Sequence, residues 1–429
     1  MADDQQETGG NGNDEMCTKK DLVARKIKLE LDTDQRITLS RWCGVYRWTY
    51  NECVRLCRTN AVTYRGKVKT TRDLRSQVAN RTSPVVIERP WVLQVPYDVR
   101  DGAIIEFVKN LKTGIDKVKS NPSFRFRMDF KRKTDSSMSL PLLRKHWKNG
   151  VYFPTFFTGK VKGYEPLPAQ LECDSKIVKT RTNEYFACIP TTRPESIPAP
   201  CAYEGSCIAL DPGVRTFLTG YDPAGNILEI AKGDVDKVFK MCYRVDRIMS
   251  KVTKAKNHRQ RYNRQRAACR ARTKLQNCIT DLHAKAAKYL CESYKLILLP
   301  KFTTQQMVRR ATRKIRSKTA RMMLTFSHYK FRQRLLDKAI NYKDTNVMIV
   351  NEAYTSKTCT CCGTIHDKLG GNKNFNCRSC SWKGDRDVNG ARNIYLRSVV
   401  EAALDVVVHP VLPSGPTPPT IYSLGAFQV

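Results

Sequence analysis

The sequence predicts a multidomain α+β chain: a small β-barrel carrying a helical insert, then an α/β layer domain interrupted by a four-cysteine zinc ribbon. Three observations carry this expectation. Between residue 23 and about residue 200, short alternating runs surround two amphipathic helices. Beyond a proline-rich linker at 194–200, short apolar strands are followed by long helices, the rhythm of an α/β layer. Cys359-x2-Cys362 is followed, after 14 residues, by Cys377-x2-Cys380. Two knuckles at that separation can turn four thiolates onto one tetrahedral Zn2+.

Taken in order, the first 22 residues are polar and acidic without an apolar period, and read as a disordered tail. Val23–Leu31 alternates at period two, as a strand does. Leu39, Trp42, Cys43, Tyr46, Tyr50, Cys53 and Leu56 recur at helical spacing behind acidic and Thr caps, and this aromatic stripe reads as core. After the breakers Pro90 and Pro96, a helix from about Tyr97 to Lys119 lays Val99, Ala103, Phe107, Val108, Leu111, Ile115 and Val118 on one face. Phe124–Phe130 alternates and is expected to be a strand, with strand-like runs continuing to about Pro200. Strands follow at Ile208–Leu210, Phe217–Tyr221 and Ile227–Ile230, then long helices to Tyr294 and apolar strands at 296–299 and 347–350. Residues 405–429 read as a Pro-rich extended tail.

Of the 429 residues, 76 are Lys or Arg and 40 are Asp or Glu, a formal charge of +36. A small domain needs a net charge of only about 2 to 8 for solubility, so a polyanionic partner is the simplest explanation, and nucleic acid is the commonest one. The excess is concentrated. Lys251–Thr280 contains no acid, and Arg259, Arg261, Arg264, Arg266 and Arg270 crowd one helical segment. Arg309, Arg310, Arg313 and Lys314 open a second such stretch, so both segments are expected to contact phosphate. No apolar run is long enough to span a bilayer, and the N-terminus lacks the basic-then-apolar pattern of an export signal. The 17 cysteines are therefore expected to be thiols or metal ligands in a protein that meets no membrane. A P-loop is absent, which argues against a motor ATPase.

Three carboxylates frame the cysteines. Asp211 ends an apolar strand, Glu352 follows a second one just before the ribbon, and either Asp385 or Asp387 stands where a helix opens just after it. Individually, Asp-Pro-Gly is usually a turn and an Asp before a helix usually an N-cap. Together, converging carboxylates repel one another unless a hard cation lies between them, and paired Mg2+ about 3.5–4 Å apart serves phosphodiester hydrolysis. Cys361 falls inside the first knuckle and is expected to point away, and His366 is not needed as a zinc ligand.

Leu-Asp-Pro-Gly-Val-Arg-Thr-Phe (210–217), Tyr-Thr-Ser-Lys-Thr-Cys-Thr-Cys-Cys-Gly (354–363) and Asp-Arg-Asp-Val-Asn-Gly-Ala-Arg-Asn-Ile (385–394), in that order, resemble the RuvC-type nuclease of transposon-associated TnpB proteins. TnpB proteins are in turn similar to type V CRISPR effectors and have eukaryotic relatives, the Fanzor proteins. The resemblance covers about 206–400. It extends more weakly to Arg-Trp-Cys-Gly-Val-Tyr-Arg-Trp-Thr-Tyr-Asn (41–51) and Pro-Trp-Val-Leu-Gln-Val-Pro-Tyr-Asp-Val-Arg (90–100), which are similar to the recognition lobe. It implies a wedge β-barrel at 23–36 and 122–200, a helical recognition domain at 37–121, and a ribonuclease-H-like RuvC nuclease at 201–352 and 384–404. The zinc ribbon, for target nucleic acid, falls at 353–383.

The implied catalytic and Mg2+-binding residues are Asp211, Glu352 and Asp387, with Cys359, Cys362, Cys377 and Cys380 on one Zn2+. Pro300 departs from the bacterial pattern, which has a Glu at the end of that strand; a Glu relocated to position 352 resembles Fanzor proteins. The implied activity is RNA-guided cleavage of double-stranded DNA by a two-Mg2+ RuvC site. The chain would be a monomer bound to a transposon-derived guide RNA (omega RNA), reading a target-adjacent motif and, in a eukaryote, acting in the nucleus. The rivals are a catalytically inactive RNA-guided DNA-binding protein, an unguided structure-selective nuclease and a zinc-ribbon RNA-binding protein.

Overall fold

The computed structural model describes residues 22–59, 63–64, 67–68, 70–153, 157–202, 205–313, 315–367, 372–405 and 421–424. The tail expected at 1–22 therefore lies outside the described residues apart from Leu22, as does Lys314. The chain divides into two compact units at Arg193 and Pro194. Among the described residues no helix is long and apolar enough to cross a membrane.

The first unit holds an antiparallel sheet of five strands: β1 (Leu22–Glu30), β2 (Ser137–Leu142), β3 (Lys162–Gly163), β4 (Ser175–Thr180) and β5 (Tyr185–Thr192), in the order β2-β4-β5-β1-β3. Helix α1 (Thr33–Arg58) starts where Asp32 and Gln35 form a reciprocal capping box, each side chain accepting from the other's backbone N–H. A short helix α2 (Thr71–Val78) follows, and α3 (Tyr97–Ser120) packs on α1. The aromatic stripe of α1 is core, as expected. Leu39, Trp42, Cys43, Tyr46, Tyr50 and Cys53 are buried, and Tyr50 meets Phe107 of α3 edge to face with ring centroids 5.8 Å apart.

Phe124–Phe130 enters no ladder, which corrects the strand expected there. Side chains of α1 bond the backbone at Met128 and at Lys131, just beyond it. Asn51 accepts from the Lys131 N–H at 2.7 Å and donates to the Lys131 carbonyl at 3.0 Å, while Arg58 donates to the Met128 carbonyl at 2.9 Å. The Phe126 ring fills the space where a side chain at Gly114 would stand, and Met128 is buried, whereas Phe124 and Phe130 are exposed. Alternation thus reports which residues face the helix, while the hydrogen bonds that define a strand go elsewhere.

The second unit is built on a six-stranded sheet: β6 (Cys207–Pro212), β7 (Leu218–Tyr221), β8 (Ile227–Ile230), β9 (Leu296–Pro300), β10 (Asn346–Val350) and, late in the chain, Ile421–Leu424. β6, β7 and β8 form an antiparallel meander; β9 lies parallel to β6, and β10 parallel to β9. This α/β layout agrees with the ribonuclease-H-like expectation. Residues 421–424 pair in parallel with β8, so part of the tail expected at 405–429 belongs to the sheet. Its four-residue run follows a proline-rich stretch that masks it.

The strands alternate between two cores. Ile208, Leu210, Ile297 and Leu299 face helices α4 (Val235–Thr253), α5 (His258–Ser293), α6 (Ser317–Phe326) and α7 (His328–Ala339). Phe217, Phe326 and Phe331 are fully buried there, contributing about 1.5–3 kcal/mol each by burial. Cys207, Ala209, Leu298 and Val350 face the other way, against Ile394 of the C-terminal helix α8 (Arg386–Asp405). β10 is the edge strand, and its Met348 and Ile349 are 51% and 44% exposed. It is apolar without being buried on both faces.

Candidate active site and metal centre

Because side chains alternate across a strand, Cys207, Ala209 and Asp211 share the face that α8 covers. Asp211 emerges at the end of β6 with its carboxylate against Gly390 of α8, where an added Cβ would lie 2.6 Å from Oδ2. Asp387 stands in the first turn of the same helix. Glu352 follows β10 by two residues and is half-buried. Continuing the β6–β9 register from Ala209 opposite Leu298, Pro300 lies beside Asp211, and Val350 is paired with Pro300. The chain therefore reaches Glu352 one strand further across the sheet.

The electrostatics tie these three groups together. Burial, then Asp387, then Glu352 push the Asp211 carboxyl well above the usual carboxylate range. Burial also raises Glu352. Asp387 is raised by burial and by Asp385, against the opposing charges of Arg215, Arg386 and Lys373. Among the described residues only the four cysteines gather ligand atoms into one coordination sphere; the carboxylates lie within electrostatic reach of one another. Three destabilised carboxylates are the donor chemistry that suits a hard divalent cation. Asp337 and Asp344, the other acids between Pro300 and Glu352, are exposed on α7 and in the turn before β10.

Several supporting residues carried no signal of their own in the sequence. His328 and His283 both stack on Phe217, with centroids 4.9 and 5.3 Å away. Burial lowers both imidazoles, to about 3 and about 4, so both are neutral at pH 7. A neutral ring must donate to a carbonyl. The His328 Nε2–H therefore holds the Gly213 carbonyl at 3.1 Å, fixing the turn that follows Asp211. On α8, Asn389 accepts from the Thr360 N–H at 3.0 Å and donates to the Thr358 carbonyl at 2.8 Å. Asn393, one turn on, donates to the carbonyls of Thr355 and Thr358 at 2.8 and 2.7 Å. The helix that carries Asp387 thus also grips the base of the ribbon. Asn389→Ala would leave the buried Thr360 N–H unpaired, and chemical denaturation should show a loss of about 1–3 kcal/mol.

In the ribbon, the Cys359 and Cys380 sulfurs are 3.7 Å apart and those of Cys362 and Cys377 3.6 Å. Tetrahedral zinc with Zn–S bonds of about 2.3 Å requires separations of about 3.8 Å, so the four thiols can hold one Zn2+. Each knuckle closes on a left-handed residue, Gly363 after Cys362 and Ser381 after Cys380. A hairpin of β11 (Asn374–Asn376) and β12 (Lys383–Asp385) joins the second knuckle to α8. Cys361 is exposed and outside the cluster, and His366 Nε2 lies 3.2 Å from Cys377 Sγ. None of the described cysteines is in a disulfide.

Arg259, Arg261, Arg266 and Arg270 are exposed along α5. Arg264 is half-buried and donates to the Lys251 carbonyl. Arg309, Arg310 and Arg313 fall in the non-helical stretch before α6, where Arg313 donates to Ser317 at 2.7 Å. The second basic stretch therefore begins outside any helix.

Residues 328–394, from α7 through the ribbon into α8, match a Cas12f1-like TNB domain, and residues 16–63 match a helix-turn-helix domain. In the described part of 16–63 the long elements are β1 and the single helix α1. The chain is similar to a candidate transposase of Paramecium bursaria Chlorella virus 1, with 26% identity over 396 residues covering 89% of this chain and 88% of that protein. A TnpB-like protein of Acanthamoeba polyphaga mimivirus is 25% identical over 87% of this chain and 72% of its own length. The candidate RNA-guided DNA endonuclease InsQ of Escherichia coli is 27% identical over 46% of this chain and 50% of its own. Along most of its length the chain is similar to viral TnpB-like proteins.

Proposed function

We propose, taking that TnpB-like character as the premise, that the chain is an RNA-guided DNA endonuclease. It binds a transposon-derived guide RNA, reads a target-adjacent motif and hydrolyses the phosphodiester backbone of double-stranded DNA. The observation that carries the reading is the buried Asp211 carboxyl, raised further by the charges of Asp387 and Glu352, beside a ribbon fit for zinc. In this reading the three carboxylates hold two Mg2+ ions, and the five-stranded sheet of the first unit serves as the wedge barrel. When bound, Mg2+ supplies an activated water and offsets charge on the leaving 3′-oxygen. Asp211 and Asp387 provide compensating negative charge, His328 keeps the Asp211 turn in place, and Asn389 and Asn393 hold the helix start that bears Asp387. Glu352, in place of a carboxylate at position 300, supports assignment to the Fanzor-like branch and hence action in the nucleus.

Pro300 beside Asp211 favours a second reading, an inactive RNA-guided DNA-binding protein. One experiment separates the readings. The chain is purified with its RNA, the guide segment is exchanged, and plasmids matched or mismatched to the new guide are offered with Mg2+. Cleavage should move with the guide and vanish after ribonuclease treatment. Binding without cleavage would select the second reading, and cleavage indifferent to the guide would defeat both.

A further inference from the structure

The 90–100 segment ends in an arginine that the proposed function does not use. Arg100 lies one turn into α3 and is only 5% exposed. One of its terminal nitrogens donates to the Ala79 carbonyl at the end of α2, and its guanidinium sits 5.4 Å from the centroid of the Tyr97 ring. Its Nε–H is buried with no hydrogen-bond partner. A guanidinium stays protonated wherever it is placed, so burial leaves a charge that needs an anion.

The carboxylates closest to it in sequence are already committed. Asp98 is held by Lys145 at 2.8 Å and by His146 at 2.9 Å. Asp101 takes both Nε and a terminal nitrogen of Arg75, at 2.6 and 2.7 Å. Arg100 lines a pocket of about 490 Å3 together with Arg81, Asn80, Thr82 and Tyr97, and no acidic side chain lines it. Arg81 is exposed, and its positive charge repels that of Arg100. The helix begins at this end, its N-cap is Pro96, and no side chain caps it. The positive end of the helix dipole therefore adds to the two guanidiniums.

We infer that this pocket binds a phosphodiester group of a nucleic-acid backbone, with Arg100 as the fixed donor and Arg81 as the solvent-facing one. That the anion belongs to nucleic acid rests on the function proposed above. The phosphate comes either from the guide RNA or from the DNA duplex, and the chemistry recognised is the same.

The test uses the full chain and two probes, the RNA that co-purifies with it and a short DNA duplex, with binding followed by fluorescence anisotropy across a salt series. Arg81→Ala changes only an exposed side chain. Arg100→Lys keeps the charge and can still reach the Ala79 carbonyl, but loses the guanidinium fork. Both should weaken the same probe about tenfold, the loss of one charge-assisted hydrogen bond. Arg81→Ala should also reduce the salt slope by about 0.9 on duplex or about 0.7 on single-stranded RNA. The probe that moves identifies the source of the phosphate. Affinities unchanged for both probes would overturn the inference, as would a lower melting temperature for Arg100→Lys with neither variant altering affinity. Cleavage is not read, so an inactive nuclease leaves the result intact, and a failed pocket leaves the nuclease reading intact.

Discussion

Asp211→Asn is expected to lower the rate of Mg2+-dependent DNA cleavage by roughly a thousandfold or more, while stabilising the Mg2+-free protein at neutral pH. On the proposed function, the first effect follows from removing a charge that holds the metal, whose stabilisation of the transition state is worth several kcal/mol. The second has the opposite sign because the folded protein penalises the same charge. Asp211 is raised well above the ordinary carboxylate range by burial and by Asp387 and Glu352. A carboxyl raised on folding contributes stability below its unfolded value, about 4, and loses it as pH rises through the folded value. Melting curves of zinc-loaded, Mg2+-free protein should therefore fall from acidic to neutral pH, and the fall should be shallower in Asp211→Asn. Added Mg2+ should restore wild type and leave the variant unmoved. Asp387→Asn and Glu352→Gln should match its loss of cleavage with nucleic-acid binding retained, since the exposed arginines of α5 are untouched. Full cleavage by Asp211→Asn would remove the nuclease assignment. Full cleavage by Glu352→Gln alone would leave Asp337 or Asp344 as the third ligand to test.

Cys377→Ser should release zinc and unfold the ribbon, whereas Cys361→Ser should be nearly silent. Elemental analysis of wild type should give one zinc per chain. The hydrophobic cluster inside the ribbon is small, Phe375 with Trp382 packed beside it, and cannot by itself offset the ordering of its loops. Structural zinc in comparable small domains supplies an apparent 10–16 kcal/mol of folding free energy. Cys377 is buried at the cluster, but Cys361 is exposed and outside it. The loss should spread, because Asn389 and Asn393 join the ribbon base to the helix of Asp387. Cleavage should therefore fall with the zinc content. Equal damage from the two substitutions would overturn the ligand assignment.

The parts of this molecule that were legible in the sequence are those in which one local pattern has one structural meaning. Apolar runs flanked by helices marked β6, β9 and β10, and the two cysteine knuckles marked the ribbon. The carboxylates could be nominated because each sits at the boundary of such an element. Asn389, Asn393 and Gly390 stand within a motif without a chemistry of their own, since an amide on a helix has no role until its partner is known. His328 was hidden in a basic stretch, and only the tertiary fold stacks it on Phe217. Phe124–Phe130 misled because alternation records burial on one side, whatever accepts the hydrogen bonds. Residues 421–424 were obscured by the prolines before them.

The order of the parts along the chain also sets an order in time. Asp211 is made early in the second unit, the basic helix α5 next, and Asp387 only after the whole ribbon has been synthesised. At translation rates of about 5–20 residues per second, roughly ten to thirty-five seconds separate the first carboxylate from the last. During that interval the nascent chain already carries the exposed arginines of α5 but lacks Asp387 and the helix on which Asp211 rests. On the proposed function, an RNA can therefore be engaged before hydrolysis becomes chemically available. If the chain is the RNA-guided nuclease proposed above, any product of premature termination ahead of Arg386 would occupy that RNA without cutting, a competitor encoded by the same message.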